Sequence, residues 1–355
     1  MFAKRTKQII TLIKDIFFFL KMKYASPKKE SSNRIIVRVQ NPNLYHRYFY
    51  NLLATLDIAG YSIYYPMNFA KFRNLRNGDY YLSLMFQNNL IDIRNTQGKN
   101  AIVLEDRHFS ANYYETYFKY NNQADGHFHI PMSFHPLMYH KNLWKKNVKG
   151  DNKINAVFCF GNFDRIAYKT ISQSPFKVIN RADIIDSFKD NADFLSVKNK
   201  KQLDKIIDEG TDKKFIFVEK QNFEIPIENV REYISHFRYF LCCPGVFAPL
   251  SHNFAEALSA GAIPVIQKGY ADLIYPPLQD FHNAIIFENI EDIEDKINAI
   301  PNEEVLKMKI NAEKYYLEFI HPENAGKNII ENINHKIMYL NASERSVKLI
   351  KIGHE

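Results

Sequence analysis

The sequence predicts an α/β protein built from two doubly wound, parallel-sheet domains. Short apolar runs alternate with stretches of helical periodicity, first from residue 34 and again from residue 154, as in parallel sheets covered by helices. The chain has 355 residues, more than one hydrophobic core usually holds, so two domains are expected. Hydrophobic residues make up 46% of the chain, an ordinary share for a globular protein.

Residues 1–30 form a basic amphipathic leader that is expected to be helical. Its apolar run is broken by Lys14-Asp15 and is too short to cross a hydrocarbon core of about 30 Å. Two placements stay open: contact with an anionic membrane surface through residues 4–23, or docking on the protein's own core. No small-residue cleavage site follows, so a signal peptide is not expected. The apolar stripe consists of Ile9, Leu12, Ile13, Ile16, Phe17 and Leu20.

Residues 31–150 are predicted to form the first domain. A polar linker at 24–33 precedes it, and a helix from about residue 48 to 59 is stopped by Gly60. Residues 127–144, rich in His, Pro and aromatic side chains, are predicted to be a loop and hinge. Four apolar runs are predicted to be strands: 34–39, 61–65, 80–86 and 101–104.

Residues 151–355 are predicted to form the second domain. Its apolar runs are predicted to be strands at 154–160, 176–179, 215–218, 239–243 and 263–266. Helices are expected at 290–298, 303–320 and, after the break at His321-Pro322, at about 323–339.

The stretch 237–266 contains a complete site-building unit. Its first strand is broken by Pro244-Gly245, and Ser251 is predicted to cap a helix that stops near Gly261 before the next strand. In a parallel sheet, the loop after a strand and the following helix N-terminus bind ligands. The predicted ligand-facing residues are Gly245, Ser251, His252, Asn253 and Glu256.

This unit resembles the C-terminal motif of exostosin-type glycosyltransferases. The matching residues are Cys243-Pro244, Gly245, Ser251, Glu256-Ala257 and Gly261-Ala262-Ile263-Pro264-Val265. The pattern is also similar to the donor-binding helix of other two-domain (GT-B) nucleotide-sugar transferases. The detailed resemblance covers about residues 231–315, and the chain has His252-Asn253 where the family often has an Arg.

The resemblance implies the GT-B architecture, in which two Rossmann-like domains face a cleft and the last helix crosses back to the first domain. It also implies a nucleotide-sugar donor, a donor-binding role for Glu256 and no metal requirement. The plainer alternative for Glu256 is a carboxylate that stabilises its helix near the positive dipole end. Ser251 could serve only as a cap, and His252 and Asn253 could be solvated.

Further donor-binding residues are predicted after two strands of the second domain. Gly161 and Asn162 follow a strand directly and suit close approach of the backbone to a ligand. Arg165 and Lys220 are candidates for the diphosphate, because a guanidinium or ammonium group pairs with phosphate oxygens. The alternative for both cations is an ordinary surface charge.

A catalytic base is expected in the first domain if the reaction inverts the sugar configuration. Glu105, Asp106 and His108 follow the strand at 101–104 and form the best acidic cluster for removing the acceptor proton. The alternative is an ordinary polar loop, and a retaining enzyme would need no such base. Tyr45, His46 and Arg47, in the loop after the first strand, are predicted to bind the acceptor or phosphate.

No metal or other cofactor is expected. His127, His129 and His135 match no common zinc spacing, and the sequence has no Asp-x-Asp, the usual metal-diphosphate motif of the other main transferase fold. The 47 Lys and Arg residues exceed the 39 Asp and Glu by 8, which suits an anionic partner such as a nucleotide diphosphate or an anionic membrane. Nucleic-acid-binding motifs are absent from the sequence, so nucleic acid is not expected.

The cysteines favour a reducing compartment. Cys159, Cys242 and Cys243 lie in apolar runs and are predicted to be buried hydrophobic residues, not metal ligands. With the basic leader, this suits a cytoplasmic bacterial enzyme at the inner membrane face. Its expected acceptor is a glycan, or a lipid-linked glycan, of a surface polysaccharide such as capsule or lipopolysaccharide.

Two other interpretations of the chain stay open. A fucosyltransferase-like enzyme usually carries a Lys beside the helical Glu, whereas Ala255 and Ala257 flank it here. A GT-B-shaped scaffold or regulatory protein without turnover is the non-enzymatic alternative.

Overall fold

The chain folds into two parallel-sheet α/β halves, as predicted. The computed structural model describes residues 2–24, 33–96, 101–114, 118, 126–148, 150, 153–340 and 344–352. Each sheet is parallel and is covered by helices, which is the two-domain Rossmann-like arrangement of the GT-B class. None of the helices in these ranges is long and apolar enough to span a membrane.

The first half carries the leader helix, a four-stranded sheet and two short outlying strands. Its sheet has the order β3-β2-β1-β4, all parallel, in the described residues. The elements in chain order are α1 (Phe2–Tyr24), β1 (Arg34–Val37), α2 (Arg47–Ile58), β2 (Ser62–Tyr64), α3 (Phe69–Gly78), α4 (Tyr80–Gln87), β3 (Ile91–Asp92), β4 (Ile102–Leu104), β5 (Phe109–Ser110), β6 (His127–His129) and α5 (Pro136–His140).

The strand predicted at 80–86 is wrong, because this segment is helix α4. Asp79 caps the helix by accepting a hydrogen bond from the Leu82 N–H at 2.9 Å, and residues 82–86 are all buried. A continuous apolar run carries no period that separates a buried helix from a buried strand. The strand of this region is β3, which follows directly and pairs with β2.

The second half contains a six-stranded parallel sheet in the order β12-β11-β10-β7-β9-β8. Its elements are β7 (Ile154–Gly161), α6 (Arg165–Tyr168), α7 (Arg181–Phe188), β8 (Phe194–Val197), α8 (Lys200–Glu209), β9 (Phe215–Glu219), α9 (Val230–Ser235), β10 (Phe237–Cys242), α10 (Asn253–Ser259), β11 (Ile263–Gln267), α11 (Lys268–Ala271), β12 (Ile285–Phe287), α12 (Asp292–Asn298), α13 (Asn302–Tyr315), α14 (Pro322–Ile333), β13 (Ile337–Tyr339) and α15 (Glu344–Ile352). The three cysteines are buried and free of disulfides.

Two further predictions of secondary structure are wrong. Residues 176–179 form no strand: Lys177 takes a positive φ of 53°, and the Ile179 N–H donates to the Gln267 side chain at 2.9 Å and not to a neighbouring strand. The helix predicted at about 323–339 as the last of the chain ends at Ile333, because residues 337–339 form β13, and a further helix, α15, follows it.

The C-terminal segment packs against the first half of the chain. Strand β13 lies between β5 and β6 and pairs with both in parallel. Helix α14 crosses α2 so closely that a Cβ placed on Gly326 would lie 2.6 Å from Ala59 Cβ and 2.8 Å from the Thr55 carbonyl oxygen. The division into domains at residues 31–150 and 151–355 therefore stays a prediction, since residues from the end of the chain complete the first half.

Replacing Gly326 by Ala is expected to destabilise the protein by about 1–3 kcal/mol, because the added methyl group overpacks the crossing of α14 and α2. Helix propensity alone would favour Ala over Gly by up to about 1 kcal/mol, so the sign of the change is the test. Urea unfolding of both proteins measures it. Gly150→Ala is the control, since the nearest atom to a Cβ there is 4.0 Å away. A stabilised Gly326→Ala protein would contradict the close crossing.

Candidate functional site

The strand order of the second sheet places a crevice between β7 and β10. Strands 8 and 9 lie on one side of β7 and strands 10 to 12 on the other, so the order reverses at the β7–β10 pair. Ligands of open parallel sheets bind outside the carboxyl ends of the strands at such a point. Here those ends are Gly161 on β7 and Cys242 on β10, followed by the loop that leads to α10.

The guanidinium group of Arg181 occupies this crevice. Its Nε donates to the Pro244 carbonyl oxygen at 2.6 Å, and Nη2 lies 3.3 Å from the Cys243 carbonyl oxygen and 3.4 Å from Ser251 Oγ. A Cβ on Gly161, where φ is +146°, would lie only 2.8 Å from Nη1. The Gly161 backbone therefore makes room for the arginine.

Sequence reasoning missed Arg181. The available signal was Asn180, whose side chain caps α7 by accepting from the Asp183 N–H at 2.9 Å, with the Arg in the first helical position. The apolar run at 176–179 predicts a strand, so the loop that brings Arg181 to the end of β10 is not expected from the sequence. Only the tertiary structure joins these two distant segments.

The loop after β10 is held by its own contacts. Tyr270 Oη accepts from the Ser251 N–H at 2.9 Å and donates to the Ser251 carbonyl oxygen at 3.1 Å. Helix α10 begins at Asn253, so the prediction that Ser251 is its cap is wrong, because the Tyr270 hydroxyl bonds the Ser251 peptide. The buried Asn253 amide donates to the Cys243 carbonyl oxygen at 3.0 Å.

Gly245 shapes the same loop. Its N–H donates to the Pro249 carbonyl oxygen at 3.1 Å, and a Cβ on this residue would lie 2.6 Å from the Ala248 carbonyl oxygen. The loop can therefore close on itself only with a glycine at this position. The contacts of Ser251, Asn253 and Gly245 fix the geometry around Arg181.

His252 links the two halves of the molecule. Its Nδ1 lies 2.7 Å from the Ser133 carbonyl oxygen, and its ring lies beside Tyr48 and His135, with centroids 6.2 Å and 5.4 Å away. Burial, with Arg47 nearby, lowers the pKa of His252 well below 6.5, so the ring is neutral and Nδ1 donates. Nε2 is buried and has no hydrogen-bond partner within the described part of the chain.

Glu256 lies at the same junction and is only 7% exposed. The backbone of His135 lies close enough to lower the pKa of its carboxyl. Burial raises the pKa of Glu256 from 4.5 to about 7, while Arg231 and Arg181 nearby act to lower it. The carboxylate predicted to bind the donor therefore lies buried beside the segment before α5.

Residues 45–47 lie on the opposite side of this junction. His46 has a φ of +49°, unusual for a residue other than glycine, and its side chain is 56% exposed. His46 Nδ1 lies 2.9 Å from an Asp79 carboxylate oxygen. Arg47 lies over the Tyr48 ring and close enough to His135 and His252 to lower the pKa of each. Tyr45 is buried against Phe109.

The acidic cluster after β4 lies where the order of the first sheet reverses, between β1 and β4. The Gln40 N–H, just after β1, donates to Asp106 at 3.0 Å. Glu105 is 3.4 Å from Arg38 and 3.0 Å from Arg107, and its N–H donates to His108 Nδ1 at 3.0 Å. The described bonds of these side chains are thus with Arg38 and Gln40 just after β1, with Arg107 and with one another, and their catalytic role stays a prediction.

No described side-chain contact brings Arg165, Lys220 or Asn162 to Arg181, although the Lys220 backbone N–H donates to the Gly161 carbonyl oxygen at 2.8 Å. Arg165 pairs with Asp183 at 2.8 Å and with Asp186, and Lys220 pairs with Glu224 at 2.9 Å. The side chains of Arg165, Asp183, Lys220 and Glu224 are all exposed. The Asn162 side chain accepts from the Asp164 N–H at 3.0 Å in a local turn. These contacts match the alternative interpretation of surface charges.

The histidines of the predicted hinge do not form a metal site with other described residues. His129 is buried, and burial lowers its pKa to about 3, so it is neutral; His127 stacks on Tyr339. Among the residues that the structure describes, no three His, Cys, Asp or Glu side chains are grouped to hold a metal ion.

Comparison with known proteins gives only distant resemblances. No family model and no curated protein matches the chain. A structure of β-glucosyltransferase from T4 phage has a TM-score of 0.37 at 9% identity, over 85% of this chain and 99% of that chain. An α,α-trehalose-phosphate synthase from Burkholderia vietnamiensis has a TM-score of 0.28 at 9% identity, over 78% and 68%.

A third structure is the pneumococcal O-GlcNAc transferase in complex with UDP and GlcNAc. It has a TM-score of 0.27 at 11% identity, over 81% of this chain and 60% of that chain. These scores are too low to carry an argument, so the fold assignment depends on the chain's own two sheets. The resemblance to exostosin-type enzymes stays an interpretation of about residues 231–315.

Replacing Glu256 by Gln is expected to change how stability depends on pH. A carboxyl whose pKa is 4.5 unfolded and about 7 folded binds more protons when folded between these values. Wild-type stability should therefore fall by about 3 kcal/mol from pH 4.5 to 7 through this group. Urea unfolding across this range should show that the Gln variant lacks this loss.

Glu331→Gln is the matched control for this test, since Glu331 is exposed on α14. The control should follow the wild-type pH profile. If the Glu256→Gln profile also runs parallel to wild type, the carboxylate is not buried at the junction as described.

Proposed function

We propose that the chain is a GT-B glycosyltransferase that moves a sugar from a nucleotide-sugar donor to a glycan or lipid-linked glycan. The observation that carries this proposal is the position of Arg181 in the β7–β10 crevice. Its guanidinium group lies beside Ser251 Oγ and against Gly161, whose missing side chain leaves space for it. A planar guanidinium group at the carboxyl ends of parallel strands suits a diphosphate. The exposed His46–Asp79 pair supplies a base on the other half.

On the donor side, Arg181 binds the diphosphate and stabilises its charge as the sugar leaves. Its bonds to Pro244 and Cys243 hold the guanidinium in place before the ligand arrives. Arg47 adds positive charge from the first half. Because protein cations supply this charge, we expect activity without a divalent metal, and chelation with EDTA should leave the rate unchanged.

On the acceptor side, His46 acts as the general base in an inverting displacement. Asp79 holds Nδ1, so that Nε2 is available to take the proton of the acceptor hydroxyl. The acceptor oxygen bonds to the anomeric carbon as the bond from that carbon to the phosphate oxygen breaks, and the nucleoside diphosphate leaves. His46, predicted as an acceptor contact, replaces Glu105, Asp106 and His108 as the preferred base.

The acceptor belongs in our proposal to a surface polysaccharide such as capsule or lipopolysaccharide, and the enzyme acts in the bacterial cytoplasm. Three buried thiols without a disulfide and the excess of 8 positive charges support this placement.

Replacing Arg181 by Lys is expected to weaken nucleotide binding about tenfold or more, because a point charge loses the bidentate phosphate contact. A thermal-shift screen with UDP, GDP, CMP and ADP identifies the nucleotide, since a ligand of the native state raises Tm. Arg165→Lys is the matched control, because Arg165 pairs with Asp183 and Asp186 on the surface.

The control should keep the wild-type shift. If no nucleotide or nucleotide-sugar shifts the Tm of the folded wild-type protein, the enzyme proposal fails and a non-catalytic scaffold is favoured. A response confined to GDP-fucose would favour the fucosyltransferase-like alternative.

Replacing His46 by Gln is expected to lower kcat by about 10²–10⁴-fold while nucleotide binding is kept, because proton removal is lost and the donor side is untouched. Asp106→Asn is the comparison variant, since its carboxylate bonds the Gln40 N–H. Turnover is measured with the nucleotide-sugar that the binding screen selects. Loss of turnover in Asp106→Asn with an active His46→Gln protein would return the base to the cluster after β4.

A further inference from the structure

Helix α1 is docked on the first half by one face. Asp15 is fully buried and bonds Arg73, Arg76 and Asn77, which all belong to α3. The Phe19 ring packs on Phe69 and Phe72 of the same helix, with centroids 5.5 Å and 5.3 Å away. These contacts fix the rotation of α1 about its own axis.

The opposite face of α1 is apolar and exposed. Phe17 is 71% exposed and Ile13 is 61% exposed, although such side chains are normally buried. At 100° per residue this face points away from Asp15 and Phe19. Its exposed members are Ile9, Ile10, Ile13, Ile16, Phe17, Leu20 and Tyr24. We call these seven side chains the outer face of α1.

Lysines border the outer face. Lys7, Lys14 and Lys21 are spaced by seven residues and therefore follow one edge of the helix, while Lys23 lies towards the other edge. The single acidic residue of the helix is Asp15, which is buried on the docked side. The outer face is thus a strip of apolar side chains beside positive charge, with no carboxylate of its own helix.

The edge marked by Lys21 also opens onto a cationic cavity. This cavity has a volume of about 650 Å³, and its lining includes Lys21, Arg76 and Arg94 with Asp92. Arg76 pairs with Asp15 and Arg94 pairs with Asp92, so the positive charge of this cavity comes from Lys21. It is large enough to accept an anionic headgroup next to the helix.

We propose that the outer face of α1 binds the surface of an anionic phospholipid bilayer. Apolar side chains flanked by lysines match the acyl boundary and the negative headgroups of such a surface. A second copy of the chain is the weaker occupant, because its own outer face would present lysines without carboxylates. Of the two placements considered from sequence, docking on the protein is seen for one face of α1, and contact with the membrane is our proposal for the other face.

This proposal goes beyond the transferase reaction and does not depend on it. A docked α1 would hold the first half, which is the proposed acceptor side, at a fixed orientation to the bilayer. The helix would lie in the interface, since no described helix can span a membrane. The side chains described in α1 begin at residue 6, so those of Lys4 and Arg5 fall outside the described part of the helix.

Vesicle flotation of the full chain tests the proposal. We expect binding to vesicles of phosphatidylcholine with phosphatidylglycerol and little binding to phosphatidylcholine alone. Combining Ile13→Ser with Phe17→Ser should lower the partition coefficient about tenfold or more, because two large apolar groups no longer enter the interface. Lys14→Glu with Lys21→Glu should remove the preference for the anionic vesicles.

Ile166→Ser with Leu306→Ser is the matched apolar control, since these residues are 88% and 61% exposed elsewhere on the surface. Lys201→Glu with Lys205→Glu, on α8, is the matched charge control. Both controls should float like wild type. Absence of wild-type binding, or equal binding to both vesicle types, would overturn the proposal.

A second measurement separates the remaining occupant and the proposed function. If wild type is a dimer in solution and the Ile13→Ser, Phe17→Ser variant is a monomer, a second copy covers the outer face and the proposal is overturned. Nucleotide thermal shifts of the same variants should equal those of wild type. The experiments can therefore overturn the membrane proposal without affecting the proposed donor site, and the reverse.

Discussion

The junction between α10 and the segment before α5 is the constraint on which the site depends. His252 of the second half bonds the Ser133 carbonyl oxygen of the first, with the buried Glu256 close to His135, and Asn51 on α2 in turn bonds the Ser133 hydroxyl and the Phe134 carbonyl oxygen. Burying ionisable groups is costly unless they are neutral or paired. Here His252 is neutral and Glu256 has its pKa raised towards neutrality, so the two halves meet without an isolated buried charge.

Arg231 also stabilises this junction through hydrogen bonds of its guanidinium group. It is buried, its Nε donates to Ser259 Oγ at 2.8 Å, and Nη1 donates to the Leu143 carbonyl oxygen at 2.7 Å. These bonds join α9, α10 and the turn after α5. The crossing of α14 over α2 and the pairing of β13 with β5 and β6 add a second connection between the ends of the chain. The two halves are therefore connected in two places.

Three separate regions of the chain carry the groups that we propose to bind the donor, the acceptor and the membrane. The β7–β10 crevice offers a guanidinium group held in place by carbonyl oxygens, the loop after β1 offers a histidine oriented by a carboxylate, and α1 offers an apolar face bordered by lysines. Each of these groups is positioned by contacts other than those proposed for its ligand. Groups that are fixed beforehand lose less freedom when a ligand binds.

The sequence by itself determined the α/β class, the strand at the start of each half and the site-building unit at 237–266. Apolar runs bounded by Gly and Pro carry that information locally, because a buried parallel strand needs continuous apolar residues and a break at its end. The same locality explains the errors. The run at 80–86 is apolar and shows neither a helical nor a strand period. In the run at 176–179, Lys177 takes a positive φ, which none of the residue types around it predicts.

Only the tertiary structure decided which charges meet. Arg181 lies 63 residues before Pro244 and His46 lies 33 residues before Asp79, and in each pair the fold brings the loop after a strand against the start of a helix that is distant in sequence. Arg165 was equally plausible from its residue type and its place after a strand, yet the neighbouring α7 supplies Asp183 and Asp186 to pair with it. A sequence indicates which residues can bind an anion, but the long-range packing decides which of them have already been neutralised.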